Sequence, residues 1–240
     1  MKRVFFAILL YSFFSSLQAQ NDEEVGLVSR FGIAGGFTPI IVFPNLSPIN
    51  DELNKLGIDE FSTSGMLNFG GSGYAYIMLI DNLRIGGIGF GGTLSRSKII
   101  NGYSNEINYN YGIGGLTIEY SLPFINKIAV SVGTIIGAGS SSIEIYRNKS
   151  NFSWDDIWKE NTTQNINRKL SNTFFTIAPM INADFPITRF MAVRLGVGYA
   201  YSFNDNWKAD NDQSLIGVPA DLNSKSFFIQ TGIYFGFFAL

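Results

Sequence analysis

Val193-Arg-Leu-Gly-Val-Gly-Tyr-Ala-Tyr-Ser-Phe203 alternates with a period of two. Val193, Leu195, Val197, Tyr199, Tyr201 and Phe203 fall on one side. Arg194, Gly196, Gly198, Ala200 and Ser202 fall on the other. Successive side chains of a strand point to opposite faces, so this stretch reads as a strand with one apolar face and one small, polar face. An apolar face of large rings opposite a face of Gly, Ala, Ser and Arg suits a strand with lipid outside and a narrow lumen inside. Residues 128–138 repeat the pattern, with Ile128, Val130, Val132, Thr134 and Ile136 opposite Ala129, Ser131, Gly133, Ile135 and Gly137.

Working outward, eight such segments appear, at about 29–43, 66–80, 83–96, 106–121, 127–146, 172–185, 190–203 and 226–238. Short connections at 81–82, 122–126 and 186–189 alternate with longer polar ones at 44–65, 97–105, 147–171 and 204–225. Tight turns on one side, longer loops on the other and alternating strands predict an all-β fold: an eight-stranded antiparallel up-and-down transmembrane β-barrel. An even strand number places both chain ends on the periplasmic side. Within the outside loops, Ser47-Pro-Ile-Asn-Asp-Glu-Leu-Asn-Lys-Leu-Gly57 predicts a short helix, from its cap residue, early Pro, apolar spacing and terminal Gly. Ser153 to Glu160 predicts a second, weaker one.

Parity slips at three glycine pairs. Ile107, Tyr109, Tyr111 and Ile113 are odd, whereas Leu116, Ile118 and Tyr120 are even, with Gly114-Gly115 between them. Similar slips fall at Gly70-Gly71 and Gly86-Gly87. A bulge flips parity and glycine tolerates it, so bulges are expected at these sites.

Four strands leaving the short-turn side open alike: Arg30-Phe-Gly32, Arg84-Ile-Gly86, Ser131-Val-Gly133 and Arg194-Leu-Gly196. Pro123 with Ala129-Val-Ser-Val-Gly133 matches Pro186 with Ala192-Val-Arg-Leu-Gly196, a repeated hairpin unit. Each Arg or Ser lies opposite the apolar neighbours, so Arg30, Arg84 and Arg194 share one lumenal level. Glu119, Asn182 and Asp184 descend to a similar level. An eight-stranded barrel is just wide enough for side chains to fill, so buried charges there must pair. Arg30, Arg84, Arg194, Glu119 and Asp184 are therefore the candidate ion network. The expectation is structural, with a gated ion path as the sharper reading.

The 240 residues contain no His and no Cys, which removes Ser-His and Cys-His nucleophilic pairs, disulfides and a lipoprotein anchor. No catalytic residue, cofactor or metal is expected. Gly87-Ile-Gly-Phe-Gly-Gly92 fits a dinucleotide motif, but Thr93-Leu-Ser-Arg-Ser follows where a helix is needed. Asp155, Asp156 and Glu160 lack the spacing of a calcium loop. Lys2 and Arg3 followed by an apolar run and Ala19 read as a secretory signal peptide over 1–19, leaving 20–240 as one barrel domain. Without Lys2 and Arg3 there are 15 basic and 19 acidic residues, a balance unsuited to nucleic acid.

The end of the chain, Gln230-Thr-Gly-Ile-Tyr-Phe-Gly-Phe237, resembles the β-signal of outer-membrane barrels: polar, any, Gly, two of any, aromatic, any, aromatic. The resemblance implies that Gln230, Gly232, Phe235 and Phe237 are read by the barrel assembly machinery, although this chain runs on to Leu240. The whole mature chain is similar to small OmpA/OmpX-type barrels and to the porin-family and PorT-like barrels of Bacteroidota. That implies a monomer in the bacterial outer membrane, in contact with its lipid. The expected function is structural or interactive: loops 44–65, 147–171 and 204–225, with Trp154, Trp158 and Trp207, would face an extracellular or envelope protein partner. A narrow porin-like channel is one alternative. A soluble periplasmic barrel holding a small apolar ligand is the other, and it requires the apolar faces to point inward.

Overall fold

The structure, a computed structural model, describes residues 31–77, 79–123, 128–149 and 165–239. The predicted signal peptide, Arg30, the predicted helix over 153–160, Trp154, Trp158, the acidic trio Asp155, Asp156 and Glu160, and Leu240 lie outside the described residues.

The elements run in order as β1 (Phe31–Phe37), β2 (Ile40–Pro44), α1 (Ser47–Lys55), β3 (Met66–Tyr76), β4 (Leu83–Ile100), β5 (Tyr103–Ser121), β6 (Ala129–Lys149), β7 (Ile166–Thr188), β8 (Met191–Ala209), β9 (Gln213–Ser214) and β10 (Ser226–Ala239). β1 and β2 are two halves of one strand. Pro39 has no N–H for the ladder, so pairing breaks there without changing register. The carbonyl of Pro39 still accepts the Thr231 N–H at 2.9 Å. Counting β1 and β2 together, and leaving aside the two-residue β9, eight antiparallel strands close into a ring. Each pairs with its sequence neighbour, and β10 joins β8 to β1 and β2. Phe31 pairs with Ala239, so the first and last strands meet at the short-turn end.

Alternation places the large apolar residues outside. Leu195, Val197, Tyr199, Tyr201 and Phe203 are exposed, while Arg194, Ala200 and Ser202 are buried. Ile33, Phe37, Leu67, Phe69, Leu116, Val132, Ile136, Ile177, Ile181, Ile233, Phe235 and Phe237 continue the apolar belt on the other strands. A continuous belt of this kind far exceeds the apolar patches of soluble monomers, and lipid is the solvent that matches it. The faces therefore point opposite to what a soluble ligand-binding barrel requires.

β4 to β8 hold 18, 19, 21, 23 and 19 residues, about twice what crossing a bilayer takes. Beyond the belt their outward residues become polar: Thr93, Ser95 and Ser97 on β4, Asn108 and Asn110 on β5, Ser140 and Ser142 on β6. Thr93, Asn110 and Ser142 form a hydrogen-bonded row across three strands, at 2.6 and 3.1 Å. The barrel wall thus continues beyond the belt on this side.

Two expectations need correction here. The strands run through all three glycine pairs without a register shift, so there are no bulges at Gly70-Gly71, Gly86-Gly87 or Gly114-Gly115. Odd residues of β5 face inward from Ile107 to Ser121, and only the chemistry of that face changes. The register shifts that do occur lie in β7–β8, between Thr173 and Phe175 and between Pro186 and Thr188. The predicted loop at 97–105 is also absent. β4 and β5 continue to a two-residue turn, Asn101-Gly102, both at positive φ. Asn-Gly between alternating runs is a hairpin signal, and it was available in the sequence.

Gly139, Gly198 and Gly232 make room for lumenal rings. A Cβ at Gly139 would overlap the Phe174 ring and come within 2.7 Å of the Gly112 carbonyl. Gly139→Val is expected to lower stability by about 1–3 kcal/mol, the usual range for overpacking a core. The urea midpoint of refolded protein checks this, and a change within about 0.5 kcal/mol would contradict it.

Candidate functional site: a charge ring below an apolar mouth

Near the short-turn end, β4, β5, β7 and β8 each send one charged side chain inward. Arg84 pairs with Glu119, and Asp184 with Arg194, directly across the strand ladders. The Arg84 guanidinium donates to Asp184 at 2.6 Å and to Glu119 at 2.7 Å. Arg194 donates to both Asp184 oxygens, at 2.6 and 2.8 Å, and to Glu119 at 3.1 Å. Each cation therefore meets both anions, and the ring is neutral. Ser131, the equivalent of Arg194 in the repeated hairpin, accepts from Arg84 and donates to Glu119 at 2.8 Å. Asn182 donates to Glu119 at 3.2 Å, and Gln230 donates to Asn182 at 2.7 Å.

The sequence pattern selected Arg84, Arg194, Glu119 and Asp184, and the fold brings all four together. It did not single out the tyrosines around them. The Tyr74 ring lies between the two guanidiniums, 4.5 Å from Arg84 and 4.9 Å from Arg194. Tyr234 covers Arg194 at 4.6 Å, and Tyr76 lies 5.7 Å from Arg84. Weakly hydrated guanidiniums stack well on aromatic faces, which offsets part of their desolvation. The available signal was parity: Tyr74 and Tyr76 share a face with Ser72, opposite Leu67 and Phe69. Tyr234 also hydrogen-bonds Ser72.

The residues of the β-signal have distinct places in the closed barrel. Gln230 is buried and supports the ring through Asn182. A Cβ at Gly232 would come within 2.8 Å of the Tyr234 ring. Phe235 and Phe237 face outward, and Phe237 packs on Phe190 of the β7–β8 turn at 6.1 Å.

Above the ring the lumen turns apolar. Ile88, Phe90, Ile113, Ile135, Phe174, Met180 and Phe228 fill it. Phe174 stacks on Tyr111 at 5.9 Å, and Phe90 meets Phe228 at 6.3 Å. Ser224, next to β10, reaches inward and ties this level together. Its carbonyl accepts from Tyr111 at 3.2 Å, and its hydroxyl is bonded to Asn172 and Ser141 at 3.0 and 3.1 Å.

At the mouth, α1 faces the inner wall of β5 to β7 across a cavity. Its Ile49 and Leu53 are buried, and Asn50 exchanges two hydrogen bonds with the Phe61 backbone, at 3.1 and 2.9 Å. The helix forms where the sequence predicts it, but Ser47 is its first residue rather than its cap. Leu56 is exposed rather than packed inside. Trp207 is buried in β8, and its indole N–H donates to the Leu222 carbonyl at 3.0 Å. It therefore anchors the 215–222 segment instead of offering a contact surface outside. Beside it, the Lys169 N–H and then the Arg168 guanidinium, each at 2.8 Å, hold the Asp210 carboxyl below the usual carboxylate range. Between α1, the wall and residues 215–222 lies a cavity of about 330 Å³.

Among the described residues there is no cluster of three or more side chains suited to a metal ion. Gly87 to Gly92 lies inside β4, with no helix after it.

No protein-family model and no curated protein sequence matches the chain. Solved structures of several outer-membrane proteins align with it. A major outer membrane protein of Thermus thermophilus aligns at 8% identity and a TM-score of 0.47, over 86% of this chain and 99% of that one. Ail, the attachment invasion locus protein of Yersinia pestis, in a complex with the heparin analogue sucrose octasulfate, aligns at 10% and 0.43, over 88% and 100%. OprG of Pseudomonas aeruginosa aligns at 10% and 0.42, over 90% and 99%. The barrel itself is shown by the closed ring of paired strands and its outward apolar belt.

Proposed function

We propose that this chain is an integral outer-membrane barrel that does not conduct, with a structural or interactive role carried by what it holds above the membrane. One observation carries the reading: the lumen is closed to solvent at its charged level. Arg84 and Glu119 are each 1% exposed, although both are charged and sit on the barrel axis side of their strands. A water-wide channel would wet them. The apolar layer above them is a second closure, and a hydrophobic constriction is itself a barrier to ions.

The strand surplus of β4 to β8 gives the barrel a polar wall outside the belt, with α1 inside its mouth and residues 215–222 tied to β8 through Trp207. A protein that served only to cross the membrane would have no use for this wall. An extracellular or envelope protein is the kind of partner such a wall suits.

In planar bilayers, purified protein is expected to insert without steady unitary currents at any holding voltage. Insertion is read in parallel by heat-modifiable migration of protein recovered from the same lipid. Steady currents from folded protein would overturn the closed-barrel reading and favour a channel gated by the Arg–carboxylate ring.

A further inference from the structure

We infer that the cavity at the mouth is a binding site for one unbranched alkyl chain of an amphiphile. Its lining is almost wholly aliphatic: Ile49 and Leu53 from α1, Ile107 and Ile143 from the wall, and Leu215 and Val218 from the segment opposite. Among the described lining residues Glu52 alone is ionisable, and it is exposed and bonded to Lys55 at 2.6 Å. The space opens to water at its rim, so covering this apolar lining with an alkyl chain removes apolar surface from water. Apolar lining with few polar groups is the character of a small-molecule pocket, and 330 Å³ lies at the lower end of the ~300–1,000 Å³ range for such pockets. At about 30 Å³ for each water-sized unit, the volume corresponds to roughly ten carbons.

Three features suit an alkyl chain. Among the described residues the lining offers no aromatic side chain on which a planar ligand would stack. The walls are a helix, a strand surface and a loop anchored by Trp207 and Ser224, so the shape is held before any ligand arrives. The rim is marked by two exposed apolar residues, Leu56 at 52% and Ile216 at 95%, beside the Glu52–Lys55 pair. An amphiphile would lay its chain between α1 and the wall and leave its head at this rim, in water. The site is separate from the charge ring, so it stands whether or not the barrel conducts.

The test uses the full mature chain in nanodiscs of long-chain lipid, freed of detergent, with radiolabelled decanoate as probe. Empty nanodiscs supply the partition background. Saturable binding of one decanoate per barrel above that background is expected, and butanoate should not compete. Leu170→Trp, which fills the cavity, should weaken binding at least tenfold. Because a filled cavity can disturb folding, Leu56→Asp at the exposed rim is the second variant, expected to weaken binding several-fold with heat-modifiable migration unchanged. A decanoyl lysolipid that competes as well as decanoate identifies a membrane lipid as the source of the chain, and one that does not identifies a free amphiphile. Binding equal to empty nanodiscs, or unchanged in both variants, would overturn the proposal. So would binding that appears only after residues 150–164 are deleted, which would assign the cavity to that segment.

Discussion

Arg194→Ala is expected to destabilise the barrel by about 3–5 kcal/mol, the cost of leaving a buried charge without its partner. In the intact ring two guanidiniums face two carboxylates. Without Arg194, Glu119 and Asp184 share, among the described residues, the one cation Arg84, and both remain buried. Asp184 also loses a bidentate pair. The measurement is the urea midpoint of protein folded into lipid vesicles, read by the gel shift between folded and unfolded forms. The control separates charge from volume. Arg194→Met with Asp184→Asn keeps the ring neutral and should cost clearly less than the sum of its two single changes, because coupled partners are non-additive. A single substitution within about 0.5 kcal/mol of wild type, or strict additivity in the pair, would mean that the ring contributes little to holding β4, β5, β7 and β8 together.

The second large effect tests which face meets lipid. Val197→Arg should cost about 2–4 kcal/mol, the range for a cation placed at the bilayer midplane on a barrel's outer face. Val197 is exposed, and its neighbours across the two ladders are Ile181 and Ile229, so the change places a charge within an apolar row. Ser95→Arg is the matched control. Ser95 is also exposed and outward, but lies on the polar wall beyond the belt, and its change should stay within about 0.5 kcal/mol. A soluble barrel would give the opposite result at Val197, where adding a charge to an exposed apolar patch improves solubility at little cost. Equal, small effects at both positions would rule out the membrane reading.

Much of this molecule could be read from residue order. Strand parity follows from backbone geometry alone, so it could be read before any contact was known that Arg84, Glu119, Asp184 and Arg194 lie opposite the apolar faces of their strands. Their convergence also followed, because each opens or ends a strand at the short-turn end and a narrow barrel leaves buried charges no choice but to pair. The repeated hairpin pointed to Ser131 as the equivalent of Arg194, and Ser131 does join the ring. The helix at 47–57 was legible from Pro48, its apolar spacing and Gly57. The hairpin at Asn101-Gly102 was equally legible, and was hidden by the polar residues around it, which mark a strand outside the membrane as well as they mark a loop.

What sequence alone determined is that each strand has two faces and which residues share them. Which face is the inside was decided by the tertiary structure, because it depends on what covers each face. Along the lower half of β5, lipid covers Leu116, Ile118 and Tyr120, so the lumenal side carries Thr117, Glu119 and Ser121. Along the upper half, water meets the outer face, while α1 and the 215–222 segment cover the inner face around the cavity. There the apolar residues Ile107, Tyr109, Tyr111 and Ile113 turn inward without any change of register. A swap of surroundings at constant parity looks, in one dimension, like a bulge at Gly114-Gly115. Only the closed barrel, with its own loops folded into its mouth, distinguishes the two.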